Sequence, residues 1–163
     1  MQNQKRVVIE NITPQINQGS IFIKRIVGEL VNIHADVLVD GHDIIQSSIL
    51  FKHEKERKWI ERRMLLVNND EWSATFQVNK QGFYTYKVTG WVDYALNWQY
   101  GIGRKIDDHQ KVSSELLEGI EYLRPLLKSV GKSDKEYLNH LIAIFKNKQD
   151  YDEAVKEAVS ERL

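Results

Sequence analysis

The chain has 163 residues, 42% of them hydrophobic, with 23 Lys+Arg set against 23 Asp+Glu and no cysteine. Balanced charge removes the overall field that would draw it to nucleic acid or an anionic membrane. The lack of cysteine removes disulfides, thiolate catalysis and cysteine-held metals. No stretch approaches the 18 apolar residues of a membrane span, and Met1–Arg6 runs into Val7-Val8-Ile9 without a leader-type apolar region, so the expectation is a soluble, globular, cytoplasmic protein.

From Arg6 to about Asp93 the hydrophobic pattern has period two. Val31, Ile33, Ala35, Val37 and Val39 alternate with Asn32, His34, Asp36 and Leu38, which predicts a strand with one face inward. Asp40-Gly41 supplies a turn, and Ser48–Lys52 reads as a short, largely buried strand. The mixed charge run Glu54–Lys58 reads as a solvated loop. After the turn-like Asn68-Asn69-Asp70, Glu71–Val78 places Trp72, Ala74, Phe76 and Val78 on one side. Gly82 opens the longest strand, Phe83–Asp93, with Tyr84, Tyr86, Val88 and Val92 sharing a face and Phe83, Thr85, Thr89 and Trp91 on the other. Short strands with turn signals at this spacing predict an all-β immunoglobulin/fibronectin III-like sandwich over residues 1–93.

Beyond Asp93 the period becomes helical, and residues 94–163 are predicted as an α-helical extension of two to four helices. Tyr94–Trp98 reads as helix, with Gly101 and Gly103 as breakers. Val112, Leu116, Ile120, Leu123, Leu127 and Val130 form a stripe in which Pro125 predicts a kink or restart and Gly131 a stop. Ser133-Asp-Lys-Glu136 has the form of a capping box, opening a helix with Tyr137, Leu138, Leu141, Ile142 and Phe145 on its apolar face. Asp150–Glu153 starts another, with Tyr151, Ala154, Val155, Ala158 and Val159 as its stripe; the pattern still reads as helix at Ser160–Leu163, as expected of a fragment cut from a longer protein. Three such stripes cover one another only partly, so some apolar surface must meet more polypeptide or another subunit.

No constellation in the chain carries chemistry. His34, His42, His53, His109 and His140 lack metal-ligand spacing, so no catalytic, cofactor-binding or metal residue is assigned. Asp107-Asp108 and Glu115 with Glu118 are adjacent or i,i+3 acids, without the shaped cleft that holds two carboxylates across a glycosidic bond. Gly101-Ile-Gly-Arg-Lys-Ile106 has isoleucine where a dinucleotide loop needs its third glycine. The basic pair Lys24-Arg25 reads as surface. Trp91, Tyr94, Trp98 and Tyr100 lie close in sequence and are the candidate site: core, subunit interface, or a platform on which sugar rings stack.

Several segments occur in an order that carries a resemblance: Arg6–Pro14, Lys24-Arg-Ile-Val-Gly-Glu29, Ala35-Asp36 followed by Asp40-Gly-His-Asp43, Asn69-Asp-Glu-Trp72, Gly82-Phe-Tyr-Thr-Tyr86, Trp91-Val-Asp93 and Glu115-Leu-Leu-Glu-Gly119. Over residues 6–123 the chain resembles the N-terminal region of the bacterial α-1,4-glucan:maltose-1-phosphate maltosyltransferases of the α-amylase superfamily. The resemblance implies a fibronectin-like sandwich and a helical domain that share a homodimer interface, ahead of the enzyme's own catalytic (β/α)8 barrel. The parent activity it implies is transfer of maltosyl units from maltose 1-phosphate to α-1,4-glucans, without a cofactor. A barrel needs roughly 250 residues, so the family's catalytic residues map onto no position here. The alternative implied function is a carbohydrate-binding module of an α-amylase-type glucan hydrolase.

Overall fold

Period-two alternation in the first half of the chain and period-3.6 stripes in the second produce two bodies in the computed structural model, which describes residues 6–163. One body ends at Val92 and the other runs Asp93–Leu163. Among the described residues there are seven strands followed by four helices.

The strands are β1 (Val7–Thr13), β2 (Leu30–Val39), β3 (Ile45–His53), β4 (Ile60–Arg63), β5 (Leu65–Asn68), β6 (Glu71–Gln77) and β7 (Tyr84–Val92). All neighbours are antiparallel, in two sheets ordered β1-β2-β6-β5 and β4-β3-β7. Register places Val31 opposite Phe76, Ile33 opposite Ala74 and Ala35 opposite Trp72, so the two predicted inward faces meet as cross-strand pairs. Ile49 and Phe51 of the second sheet join the same core, where the Phe51 and Phe76 rings stack with centroids 4.5 Å apart. Each such side chain contributes about 1.5–3 kcal/mol on burial. Tyr84, Tyr86 and Val88 pack against it from β7, as their shared face predicts.

Sequence periodicity does not reveal β4 and β5. Every residue of both is exposed, so neither alternates between water and core. Buried Met64 lies between them; its N–H donates to the Ser47 carbonyl at 2.9 Å and its sulfur accepts from the Ser47 hydroxyl at 3.1 Å. The chain leaves one sheet at Arg63 and joins the other at Leu65, with Met64 as the buried pivot. Asn69, at φ 44°, then closes the tight turn in which Asn68 pairs with Glu71.

The helices are α1 (Tyr94–Asp107), α2 (Ser113–Leu126), α3 (Lys132–Lys146) and α4 (Tyr151–Ala158). Asp93 caps α1, its carboxylate accepting the Leu96 N–H at 3.0 Å. The expected break at Gly101 and Gly103 does not occur. Trp98 and Ile102 bury one face of α1, and that burial outweighs the ~1 kcal/mol per glycine of lost propensity. On α2, Leu116, Ile120 and Leu123 are buried, as the stripe predicts. The interruption expected at Pro125 falls one residue later: α2 stops at Leu126, and the N–H groups of Leu127 and Lys128 turn to the Arg124 and Pro125 carbonyls. The capping box also fails. Gly131 is the N-cap of α3 rather than a stop, and Ser133 sits inside the first turn with no capping bond. Helix α4 closes at Ala158, ahead of Ser160–Leu163, and Val159 is largely exposed despite its place in the stripe. No described helix is long and apolar enough to cross a membrane.

Candidate functional site

Of the titratable side chains weighed for chemistry, His34, His53, His140, Glu115 and Glu118 are taken up by local contacts, and His42, Asp107, Asp108 and His109 are exposed. His53 is buried on β3; its Nδ1 accepts the Lys55 N–H at 3.2 Å, leaving Nε2 to donate to the Gln81 carbonyl at 3.1 Å. His34 meets Glu71 at 2.9 Å across β2 and β6, and His140 meets Glu153 at 3.1 Å across α3 and α4. No group of three potential metal ligands forms among the described residues. Glu115 accepts from the Lys105 ammonium at 2.5 Å; that bond first, then a backbone hydrogen bond, holds its carboxyl below the usual range, the reverse of what a general acid needs. Glu118 accepts the Tyr122 hydroxyl at 3.1 Å.

The four aromatic candidates have separate surroundings. Trp98 is 8% exposed and lies in the helical core, its indole N–H donating to the Glu115 carbonyl at 2.7 Å and its ring 6.1 Å from that of Phe145. Gly119 makes room for it: a Cβ there would lie 2.3 Å from the indole. Tyr94 and Tyr100 are more than half exposed, but six residues on one helix place them about 120° apart around its axis. Trp91 belongs to the strand body, with the Arg63 guanidinium 4.5 Å from its ring centroid.

The surface that stands out lies instead in the β1–β2 connection. Phe22 is 76% exposed and Ile26 78%, and Val27 and Leu30 are also more than half exposed. Phe22 and Phe83 meet with ring centroids 4.8 Å apart. The end of the connection, Ile26–Glu29, is nonetheless tied down by hydrogen bonds. The Gly28 N–H donates to the Val78 carbonyl at 2.7 Å, the Val78 N–H returns to the Glu29 carbonyl at 2.9 Å, and Gln77 donates its side-chain amide to the Gly28 carbonyl at 3.0 Å. Gly28 sits at φ 95°, a left-handed geometry that suits glycine. Glu29 accepts the Ile26 N–H at 3.0 Å and lies 3.5 Å from Arg25. A backbone fixed this firmly, with its apolar side chains turned to water, has the character of a surface made to be covered. The sequence signal was the unalternating run Ile21-Phe-Ile-Lys-Arg-Ile-Val27, apolar yet fitting neither strand nor helix. A second exposed apolar stretch, Leu65-Leu66-Val67, lies on edge strand β5.

The model of domain N/S of the α-1,4-glucan:maltose-1-phosphate maltosyltransferases matches residues 5–163. The maltosyltransferase of that name from Chlorobaculum tepidum is 32% identical over 160 residues, covering 98% of this chain and 24% of the relative. That from Salinibacter ruber is 34% identical over 145 residues, 87% of this chain and 22% of the relative. That from Myxococcus xanthus is 35% identical over 121 residues, 72% of this chain and 18% of the relative. The chain thus spans about a quarter or less of the length of these relatives. With the match running through both the strand body and the helices, the chain belongs to the α-1,4-glucan:maltose-1-phosphate maltosyltransferase family, as its domain N/S.

Proposed function

We propose that this chain is the non-catalytic N-terminal accessory and dimerisation region of a cytoplasmic enzyme that moves maltosyl units from maltose 1-phosphate to α-1,4-glucans. Its work is assembly: it seats the enzyme's catalytic barrel and contributes to a homodimer. The observation that carries this reading is the ordered, exposed apolar segment around Phe22 and Ile26. Covering four or five such side chains supplies several kcal/mol of docking energy, at roughly 1.5–3 kcal/mol each. The strand body is read as an immunoglobulin/fibronectin III-like sandwich. The order β1-β2-β6-β5 takes the place of strands ABED, and β3 and β7 those of C and F, with β4 an added edge. Tyr84, at the start of β7, supports this: its hydroxyl accepts the Asn79 and Lys80 N–H groups at 3.1 Å each, in the manner of a tyrosine corner.

The test has two arms. The 163-residue chain, mixed with maltose 1-phosphate and a glucan acceptor, is expected to release no phosphate, and measurable turnover overturns the non-catalytic reading. Co-expressed with the catalytic part of the Chlorobaculum tepidum relative, the chain is expected to co-purify, and Phe22→Asp to abolish that; retention of the variant overturns the docking surface. The alternative, a carbohydrate-binding module of an α-amylase-type hydrolase, rests on exposed Tyr94 and Tyr100. It requires saturable binding of maltoheptaose that Tyr100→Ala weakens.

A further inference from the structure

The outer face of the β4-β3-β7 sheet carries an arrangement separate from the Phe22 segment. Ser48 lies opposite Arg63 and Thr89, and Leu50 opposite Glu61 and Lys87, so these residues share with Lys52 the pleat turned away from Ile49 and Phe51. Two indoles mark its ends. The Lys52 and Lys87 ammonium groups lie 5.0 Å and 4.9 Å from the centroid of Trp59, and the Arg63 guanidinium lies over Trp91. None of the three cations has a carboxylate partner among the described residues. The Ser48 hydroxyl, buried in the same face, has no hydrogen-bond partner. Two ammonium groups drawn to one ring repel each other, and the rings stand in for the anions they lack.

We propose that this face binds a saccharide bearing phosphate monoesters. Phosphate monoesters draw the two lysines off Trp59 through point-charge contacts and Arg63 off Trp91 through a bidentate contact. The indole faces thereby freed stack on the apolar faces of the attached sugars. The choice of a saccharide rests on the family reading above. Glu61, within the same face, disfavours an extended polyanion such as single-stranded nucleic acid, which otherwise also uses stacked aromatics with cations.

The experiment is a calorimetric titration of the 163-residue chain at low salt with phosphorylated maltodextrin, unphosphorylated maltodextrin of equal length, inorganic phosphate, maltose 1-phosphate and an oligothymidylate. The phosphorylated saccharides are expected to bind about tenfold or more tightly than maltodextrin or phosphate alone, and added salt to weaken them. Comparing the phosphorylated chain with maltose 1-phosphate tells which source of the phosphosugar the face prefers. The double variant Lys52→Ala/Lys87→Ala, its fold checked by circular dichroism, is expected to lose about tenfold or more, while Lys87→Arg retains binding. Absence of binding, equal binding of inorganic phosphate, tighter binding of the oligonucleotide, or wild-type affinity in the double variant each overturns the proposal. The Phe22 segment takes no part in this titration, so its outcome is independent of the docking test.

Discussion

At the scale of single residues, two glycines on neighbouring helices are predicted to respond in opposite directions. A Cβ on Gly101 meets nothing within 4 Å, so Gly101→Ala is expected to stabilise by about 0.5–1 kcal/mol through helix propensity alone. A Cβ on Gly119 meets the Trp98 indole, which the Glu115 carbonyl ties in place. There overpacking of about 1–3 kcal/mol outweighs the propensity gain, so Gly119→Ala is expected to destabilise. Urea unfolding of both variants separates the two signs. Glu115 adds a pH dependence. Its carboxyl is held below the unfolded value, so the stability it contributes is present above that value, about 4.3, and is lost as pH falls through the folded pKa. Glu115→Gln is expected to be less stable than wild type at neutral pH, the difference closing as pH falls through the folded pKa; urea unfolding at about pH 7 and about pH 3 checks this.

At the scale of elements, the Phe22 segment and the strand core make a contrast in what a large side chain is for. Phe22→Ser is expected to leave the unfolding midpoint within about 0.5 kcal/mol of wild type, because the ring is already in water. Ile33→Ala, at a fully buried position of β2, is expected to cost about 2–5 kcal/mol. Denaturant titration checks both, and a large loss on Phe22→Ser would show that the segment supports its own body. Legibility also differed by element. Strands β2, β6 and β7 were readable because one face of each is wet and the other dry, so burial is written as alternation. Strands β4 and β5 were not, because edge strands exposed on both faces carry no such record. Ser133 misled for a related reason: a start signal is local, and a helix start moves by a residue or two when tertiary packing favours it.

At the scale of the whole molecule, zero formal charge removes the mutual repulsion that keeps proteins apart, while apolar side chains stand in water at Phe22 and along β5. The chain is therefore expected to be least soluble near its sequence pI of about 7.0, as light scattering across pH 5–9 would show. Phe22→Asp is expected to lower the scattering at that minimum; no change would remove the segment from the contact. The candidate site was only partly legible at this scale. The residues Trp91, Tyr94, Trp98 and Tyr100 are near in sequence, but helical geometry turns Tyr94 and Tyr100 apart and core packing takes Trp98. Trp59, Lys52 and Lys87 come from different strands, and only register brings them to one face.

By itself the sequence determined the order of strands before helices, the inward faces of the main strands, the α2 and α3 stripes and the family. These depend on patterns repeated over many residues, so no single misjudged position overturns them. Tertiary structure decided where the chain crosses between sheets, that α1 runs on past its glycines, which of Trp91 and Trp98 is buried, and that the apolar side chains around Phe22 stand in water. Each of these depends on a balance between a local preference of about 1 kcal/mol and contacts made by residues distant in sequence, and that balance is struck only once the chain has folded.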